Sequence, residues 1–185
     1  VYKTQDVTLR WASMTDADRQ REYSPSSCLP GGDYQTHIRE YRRASKTSWA
    51  RANDHPMAST TTIRYGDDDA HAIDVMTLIG DRPAPLLAFI HGGYWQELSK
   101  NEHAFPAPAW LSAGYGFAAL SYGLAPDASV ARMITRCRQA IDWLADNAGQ
   151  YGYDPDNISA IGHSAGAHLI ASAISPNLAG EGNGR

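Results

Sequence analysis

Two regimes of hydrophobic spacing divide the chain. From 33 to 52, Tyr34, Ile38, Tyr41 and Trp49 recur among charged residues at roughly helical spacing, which predicts an amphipathic helix. Asp33, following Gly31 and Gly32, is its expected N-cap, and Pro56 ends the segment. Residues 59–65 are β-branched and alternate. Gly66-Asp-Asp-Asp69 has turn chemistry and 71–79 reads as a second strand, so an antiparallel hairpin is expected. Beyond it the pattern changes. Leu86–Ile90 is continuously apolar, as in a strand buried on both faces, and Phe117–Tyr122 and Ile158–His163 repeat that look. Helical stretches are expected at 101–113, 130–147 and 165–174, the second on the spacing of Val130, Ile134, Ile141 and Leu144, with a turn at Asp154-Pro-Asp-Asn157. Strands alternating with helices imply an α/β fold: a mostly parallel sheet, helices on its faces and an N-terminal antiparallel hairpin. The expected division is a helical, lid-like segment over 1–57 and the α/β core over 58–185, within a single domain.

Composition narrows the function class without naming it. A chain of 185 residues can bury a real core. The formal charge of −4, with Arg39, Arg42 and Arg43 as the one local basic cluster, argues against nucleic-acid and membrane-surface partners. The arginines read as a solvated helix face. Cys28 and Cys137 are too few and too far apart for a disulfide framework or a zinc site, and suggest free thiols in a reducing compartment. No apolar run reaches the ~20 residues of a membrane-spanning helix, and the N-terminus carries no signal-peptide core, so a cytoplasmic location is expected. Val1 in place of Met, and the tail Gly180-Glu-Gly-Asn-Gly-Arg185, read as cut ends.

The chemistry concentrates in two motifs, each directly after a buried strand. Gly162-His-Ser-Ala-Gly166 has the form of a nucleophile elbow, in which a strained strand-to-helix turn exposes the Ser164 hydroxyl while glycines let strand and helix pass closely. A serine N-cap beside packing glycines is the plainer alternative, and the strand and helix flanks weigh against it. His91-Gly-Gly-Tyr-Trp95 supplies what a serine nucleophile needs beside it. The backbone N–H groups of Gly92, Gly93 and Ala165 can form an oxyanion hole, whose loss of one donor costs on the order of 10²–10³ in rate. A glycine turn after a strand is common by itself, and its pairing with the elbow counts against that reading. Both motifs sit at strand C-termini, where open α/β sheets bind ligands, so they are expected to face one crevice. Tyr94 and Trp95 either wall an aromatic pocket or pack under the sheet edge. His163 is expected to be packed or hydrogen-bonded facing away from Ser164, and His168 to pack along its helix. Neither has metal-ligand spacing, so no metal is expected.

These residues carry a resemblance. His91-Gly-Gly-Tyr-Trp-Gln96, Ser121-Tyr-Gly-Leu-Ala-Pro126, Gly162-His-Ser-Ala-Gly-Ala-His-Leu169 and the opening segment Arg21-Glu-Tyr-Ser-Pro-Ser26 resemble the kynurenine formamidase (arylformamidase) branch of the α/β-hydrolase fold. The likeness runs from about Arg21 to about Ser172. It implies hydrolysis of N-formyl-L-kynurenine to kynurenine and formate, in tryptophan breakdown. Ser164 would be the nucleophile, Gly92, Gly93 and Ala165 the oxyanion hole, and Trp95 and Tyr23 the lining of an aromatic site, beside the Tyr94 that the loop itself offers as a candidate wall. No cofactor is implied, the partner is a small aromatic formamide or ester, and a homodimer stays open.

The departure from that family lies in the rest of the triad. A serine hydrolase also needs a histidine base and an acid that orients it. After Ser164 the sequence offers only His168 and Glu181, and neither matches the family's acid or base. The chain is therefore expected to be an α/β-hydrolase core truncated after the nucleophile-elbow helix, inactive as it stands. Two further readings remain: a broad short-acyl carboxylesterase of the same fold, and a non-catalytic hydrolase-like binding domain.

Overall fold

The structure is a computed structural model that describes residues 11–175, so Val1 and the 180–185 tail lie outside the described residues. The chain forms two compact units, Val1–Glu40 and Tyr41–Arg185. In the first, helix α1 (Asp16–Glu22) starts with a reciprocal cap: Thr15 Oγ1 accepts the Asp18 amide at 3.1 Å, and the Asp18 carboxylate accepts the Thr15 amide in return. A 3₁₀ turn over Pro25–Cys28 follows. Helix α2 (Gln35–Asn53) begins in this unit and continues into the second. Asp33 Oδ1 accepts the Thr36 amide at 3.3 Å, in line with its expected capping role.

The second unit is built on five strands: β1 (Ala58–Arg64), β2 (Ala72–Leu78), β3 (Ala84–Ile90), β4 (Gly116–Leu120) and β5 (Tyr153–Gly162). Their order is β1-β2-β4-β3-β5. β2 is antiparallel to both its neighbours, while β4, β3 and β5 are mutually parallel, so only β2 opposes the common direction. The expected hairpin and mostly parallel sheet are both present. Ile90 pairs with Leu120 on one side and Gly162 on the other, so the three parallel strands end level.

The pleat sends alternate residues of the central strands to two cores. Leu86, Ala88 and Ile90 of β3, with Ala118 and Leu120 of β4, meet α4 (Val130–Tyr151) and α5 (Ala165–Ile174) through Met133, Cys137, Ala140, Leu144, Leu169 and Ile170. On the opposite face, Leu87 and Phe117 meet Trp49 and Ala52 of α2 and Ala107 and Trp110 of α3 (Ala107–Ser112). Ser129 caps the N-terminus of α4 by accepting the Arg132 amide. Burial at Cys137 pushes its thiol up to about 12, so it behaves as a small core residue. Among the described residues no helix is long and apolar enough to cross a membrane.

Five local expectations are corrected. β5 is not buried on both faces: Ser159, Ala160 and Ile161 are exposed, because β5 is the outermost strand among the described residues. The helix expected over 101–113 is split into a 3₁₀ turn at Lys100–Glu102 and α3, because Pro106 cannot donate a helical hydrogen bond and starts a new helix. The second long helix runs on to Tyr151, where Gly152 takes the left-handed conformation (φ 74°) that ends it. Its buried stripe is Met133, Cys137, Ala140 and Leu144, while Val130 is exposed. The turn at 154–157 lies inside β5 as a bulge: Ala84 pairs with Tyr153 and Leu86 with Ile158, and Asp154 Oδ1 accepts the Asp156 amide at 3.0 Å.

Candidate active site

The level ends of β3 and β5 bring the two motifs together. Gly92 and Ser164 are near neighbours: a Cβ at position 92 would lie 3.1 Å from Ser164 Cβ and 3.0 Å from the His163 carbonyl oxygen. Only glycine fits there without displacing the residue that carries the candidate nucleophile. The turn at Gly162–Gly166 is equally tight. A Cβ on Gly162 would strike the backbone of Gly166, and one on Gly166 would strike the carbonyls of Ile90 and His91. These glycines let α5 start directly against the end of β3.

Ser164 stands at φ 52°, ψ −117°, a backbone conformation that L-residues rarely adopt. It is the residue before α5, where serine commonly caps a helix, yet its side chain makes no capping hydrogen bond. The strained turn leaves Ser164 exposed instead. The Ser164 carbonyl accepts from Ala167 and His168, so the backbone conformation is fixed by the first turn of the helix.

The opposing loop is also strained. Gly93 (φ 113°), Tyr94 (φ 52°), Trp95 (φ 60°) and Leu98 (φ 72°) all have positive φ. Amides of Gln96 and Glu97 donate to the Gly93 carbonyl at 2.9 and 3.0 Å, and the Ala125 amide donates to the Trp95 carbonyl at 2.8 Å. The loop after β3 is thereby tied to the loop after β4. By contrast, the amides of Gly92, Gly93 and Ala165 donate to no acceptor among the described residues. Gly92 packs against Ser164 and Ala165 follows it in the chain, so N–H groups that could receive a developing oxyanion lie next to the serine, and α5 adds the positive end of its dipole.

The motif aromatics divide between core and solvent. Trp95 packs against the α4–α5 core, its ring edge-on to His168 at 5.3 Å and 89°. Its Nε1 is buried and has no hydrogen-bond partner among the described residues. Tyr94 is 45% exposed beside it. Tyr23 belongs to the first unit and is exposed.

Neither flanking histidine engages the serine. His168 is exposed apart from its contact with Trp95. His163 is exposed too, and its ring makes no hydrogen bond to a described residue, but it rests against the Gly92 backbone, where a Cβ would lie 3.0 Å from its Nδ1, so the expected packing holds on that side alone. β5, which leads into it, is the outermost strand in the sheet order among the described residues. No described group of three or more His, Cys, Asp or Glu residues could hold a metal ion.

Beneath the loop lies a run of stacked rings that sequence reasoning did not single out. Phe89 and His103 centroids are 5.7 Å apart, His103 and His91 5.4 Å, and His91 and Tyr122 4.2 Å. His91, His103 and Tyr122 are almost fully buried. Burial holds His91 down at about 4 and depresses His103 as well, so both rings are neutral near pH 7. The available signal was Tyr122 itself, a phenol at the end of a buried strand that must find a partner for its hydroxyl.

The chain is similar to several known proteins. The family model BD-FAE matches residues 75–178. Kynurenine formamidase of Danio rerio is 31% identical over 166 residues, which are 89% of this chain and 55% of the relative. Esterase LipQ of Mycobacterium tuberculosis is 33% identical over 126 residues, 65% of this chain and 30% of the relative. A solved structure from Silicibacter sp. TM1040 superposes with a TM-score of 0.72 at 26% identity, covering 84% of this chain and 55% of that one. The chain thus spans about half the length of the kynurenine formamidase it matches.

Proposed function

The chain belongs to the BD-FAE family and has the α/β-hydrolase fold, and from that premise we propose that it is a serine hydrolase of the arylformamidase kind, acting on N-formyl-L-kynurenine. The observation that carries the reading is Ser164 held at φ 52° against Gly92 and next to Ala165, with the amides of Gly92, Gly93 and Ala165 donating to no acceptor among the described residues. Ser164 Oγ attacks the formyl carbon and its proton passes to a base. The carbonyl oxygen becomes an oxyanion that the three amides receive. Collapse breaks the C–N bond, the arylamine leaves with a proton, and the formyl group stays on Oγ as an ester. Water then adds to that ester and releases formate, restoring the serine. The exposed Tyr94 and the edge of Trp95 flank the site where an aromatic acyl donor would rest. The likeness to a kynurenine formamidase over most of the chain supports the aromatic formamide.

The mechanism requires a histidine base and its acid to reach Ser164 Oγ, and no described histidine hydrogen-bonds it. A fluorophosphonate probe on the full-length protein should label wild type and not Ser164→Ala. Unlabelled, folded wild type would leave the non-catalytic binding reading. The esterase reading is favoured by the likeness to an esterase and by the openness of the site at Tyr94. Comparing kcat/KM for N-formyl-L-kynurenine and p-nitrophenyl acetate separates the two. An arylformamidase prefers the first by orders of magnitude, and a general esterase does not.

A further inference from the structure

The N–H groups of Gly92 and Gly93 belong to peptide units whose other ends are the carbonyl oxygens of His91 and Gly92. A trans peptide is planar, with its C=O and N–H pointing opposite ways. Whatever grips those two oxygens therefore aims the two N–H groups. Both oxygens are gripped from the buried side. The Tyr122 hydroxyl lies 3.0 Å from the His91 oxygen and 3.3 Å from the Gly92 oxygen. His91 Nδ1 lies 2.7 Å from the Gly92 oxygen and 3.2 Å from the Tyr122 hydroxyl. Each donor has one proton. The shortest contacts then give one consistent assignment: Tyr122 O–H donates to the His91 oxygen, and His91 Nδ1–H donates to the Gly92 oxygen.

We propose that Tyr122 and His91 are positioning residues for the oxyanion hole, each holding the carbonyl end of one peptide whose N–H end faces Ser164. The proposal rests on the hydrolase reading above. A hydrogen bond to a carbonyl also polarises its own peptide, which strengthens the N–H at the other end as a donor. The stacked His103 and Tyr122 rings on either side of His91 fix the plane of the imidazole, so the Nδ1–H cannot swing away from its carbonyl. Neither side chain touches substrate in this arrangement. Their effect is confined to the state in which charge develops on the carbonyl oxygen.

That confinement sets the test, run on the full-length protein with N-formyl-L-kynurenine as substrate. Tyr122→Phe keeps the stacked ring and deletes one donor. His91→Phe deletes the other, and His91→Asn restores an N–H near the Nδ1 position. Complete loss of one oxyanion donor costs roughly 10²–10³ in rate, so misaiming one is expected to lower kcat by about 10–50-fold. KM should stay within about twofold, because the interaction is made in the transition state alone. The inhibition constant of a trifluoromethyl ketone analogue, which forms a tetrahedral oxyanion on the serine, should rise by the same factor as kcat falls. His91→Asn should recover most of what His91→Phe loses. The proposal is overturned if folded variants keep kcat and the ketone affinity within about twofold of wild type, or if the loss falls on KM alone. Should Tyr122→Phe fail to fold, the two His91 variants decide, and equal losses in both overturn it. A wild type that neither turns over nor takes the fluorophosphonate sinks the hydrolase reading, and this inference with it.

Discussion

Lys100 Nζ donates to Asp74 Oδ2 at 2.8 Å, and the two side chains are only 14% and 11% exposed. The second carboxylate oxygen accepts from Thr62 Oγ1 at 2.7 Å, so Asp74 joins β1, β2 and the turn that leads to His103. Removing one partner leaves the other charge shielded and uncompensated. Asp74→Ala should therefore destabilise the protein by about 3–5 kcal/mol, whereas Asp74→Ala combined with Lys100→Met should cost clearly less. Urea unfolding of the two single variants and the double variant checks this. A double variant as unstable as the sum of the singles would show that the pair carries no coupling.

Acid should loosen the fold through the buried histidines. His91 is held at about 4 by burial, below the usual 6.5, and His103 is shifted in the same direction. Folded His91 thus refuses a proton that the unfolded chain accepts. Its contribution to stability is complete above about pH 6.5 and is lost as the pH falls toward 4, amounting to about 3 kcal/mol. Unfolding midpoints measured across that window should fall steeply in wild type and less steeply in His91→Phe. Identical slopes would remove His91 from the account.

The backbone of Ser164 predicts an opposition between stability and chemistry. At φ 52° a Cβ is a burden that glycine lacks. Ser164→Gly and Ser164→Ala both delete the hydroxyl, and both should be inert to the fluorophosphonate. Ser164→Gly should nonetheless be more stable than Ser164→Ala by about 1 kcal/mol, because only glycine relaxes that turn. Equal unfolding midpoints for the two variants would mean that the turn is unstrained.

The parts of this fold that were legible in the sequence are those whose signal is local. Leu86–Ile90 and Phe117–Leu120 are continuous apolar runs, and both are buried central strands. The glycines at 162 and 166 marked a strand-to-helix junction, and α5 begins at Ala165 as expected. Less legible were features decided by packing between distant residues. Apolar spacing alone put Val130 on the buried face of α4, whereas that face is made by Met133, Cys137, Ala140 and Leu144, and Val130 is exposed. The residues 154–157 have turn chemistry and do make a local Asp154 bond, yet strand pairing resumes immediately at Ile158. Tyr122 could not be linked to Gly92 from spacing, because the link depends on β3 and β4 lying parallel with Ile90 opposite Leu120.

The strand order carries a consequence for how the site comes into being. Every residue that shapes the amide loop, from His91 through Ala125, precedes Ser164 in the chain, and the strands that support it are β2, β4 and β3. Synthesis proceeds from the N-terminus, and pairing can follow it. The receiving loop can therefore be finished while the serine is still to be made. β5 then joins along the free side of β3 without prying two strands apart. Gly92 keeps the landing place clear, since a side chain there would meet the arriving His163 and Ser164. Ser164 reaches that loop after the loop can already be in place.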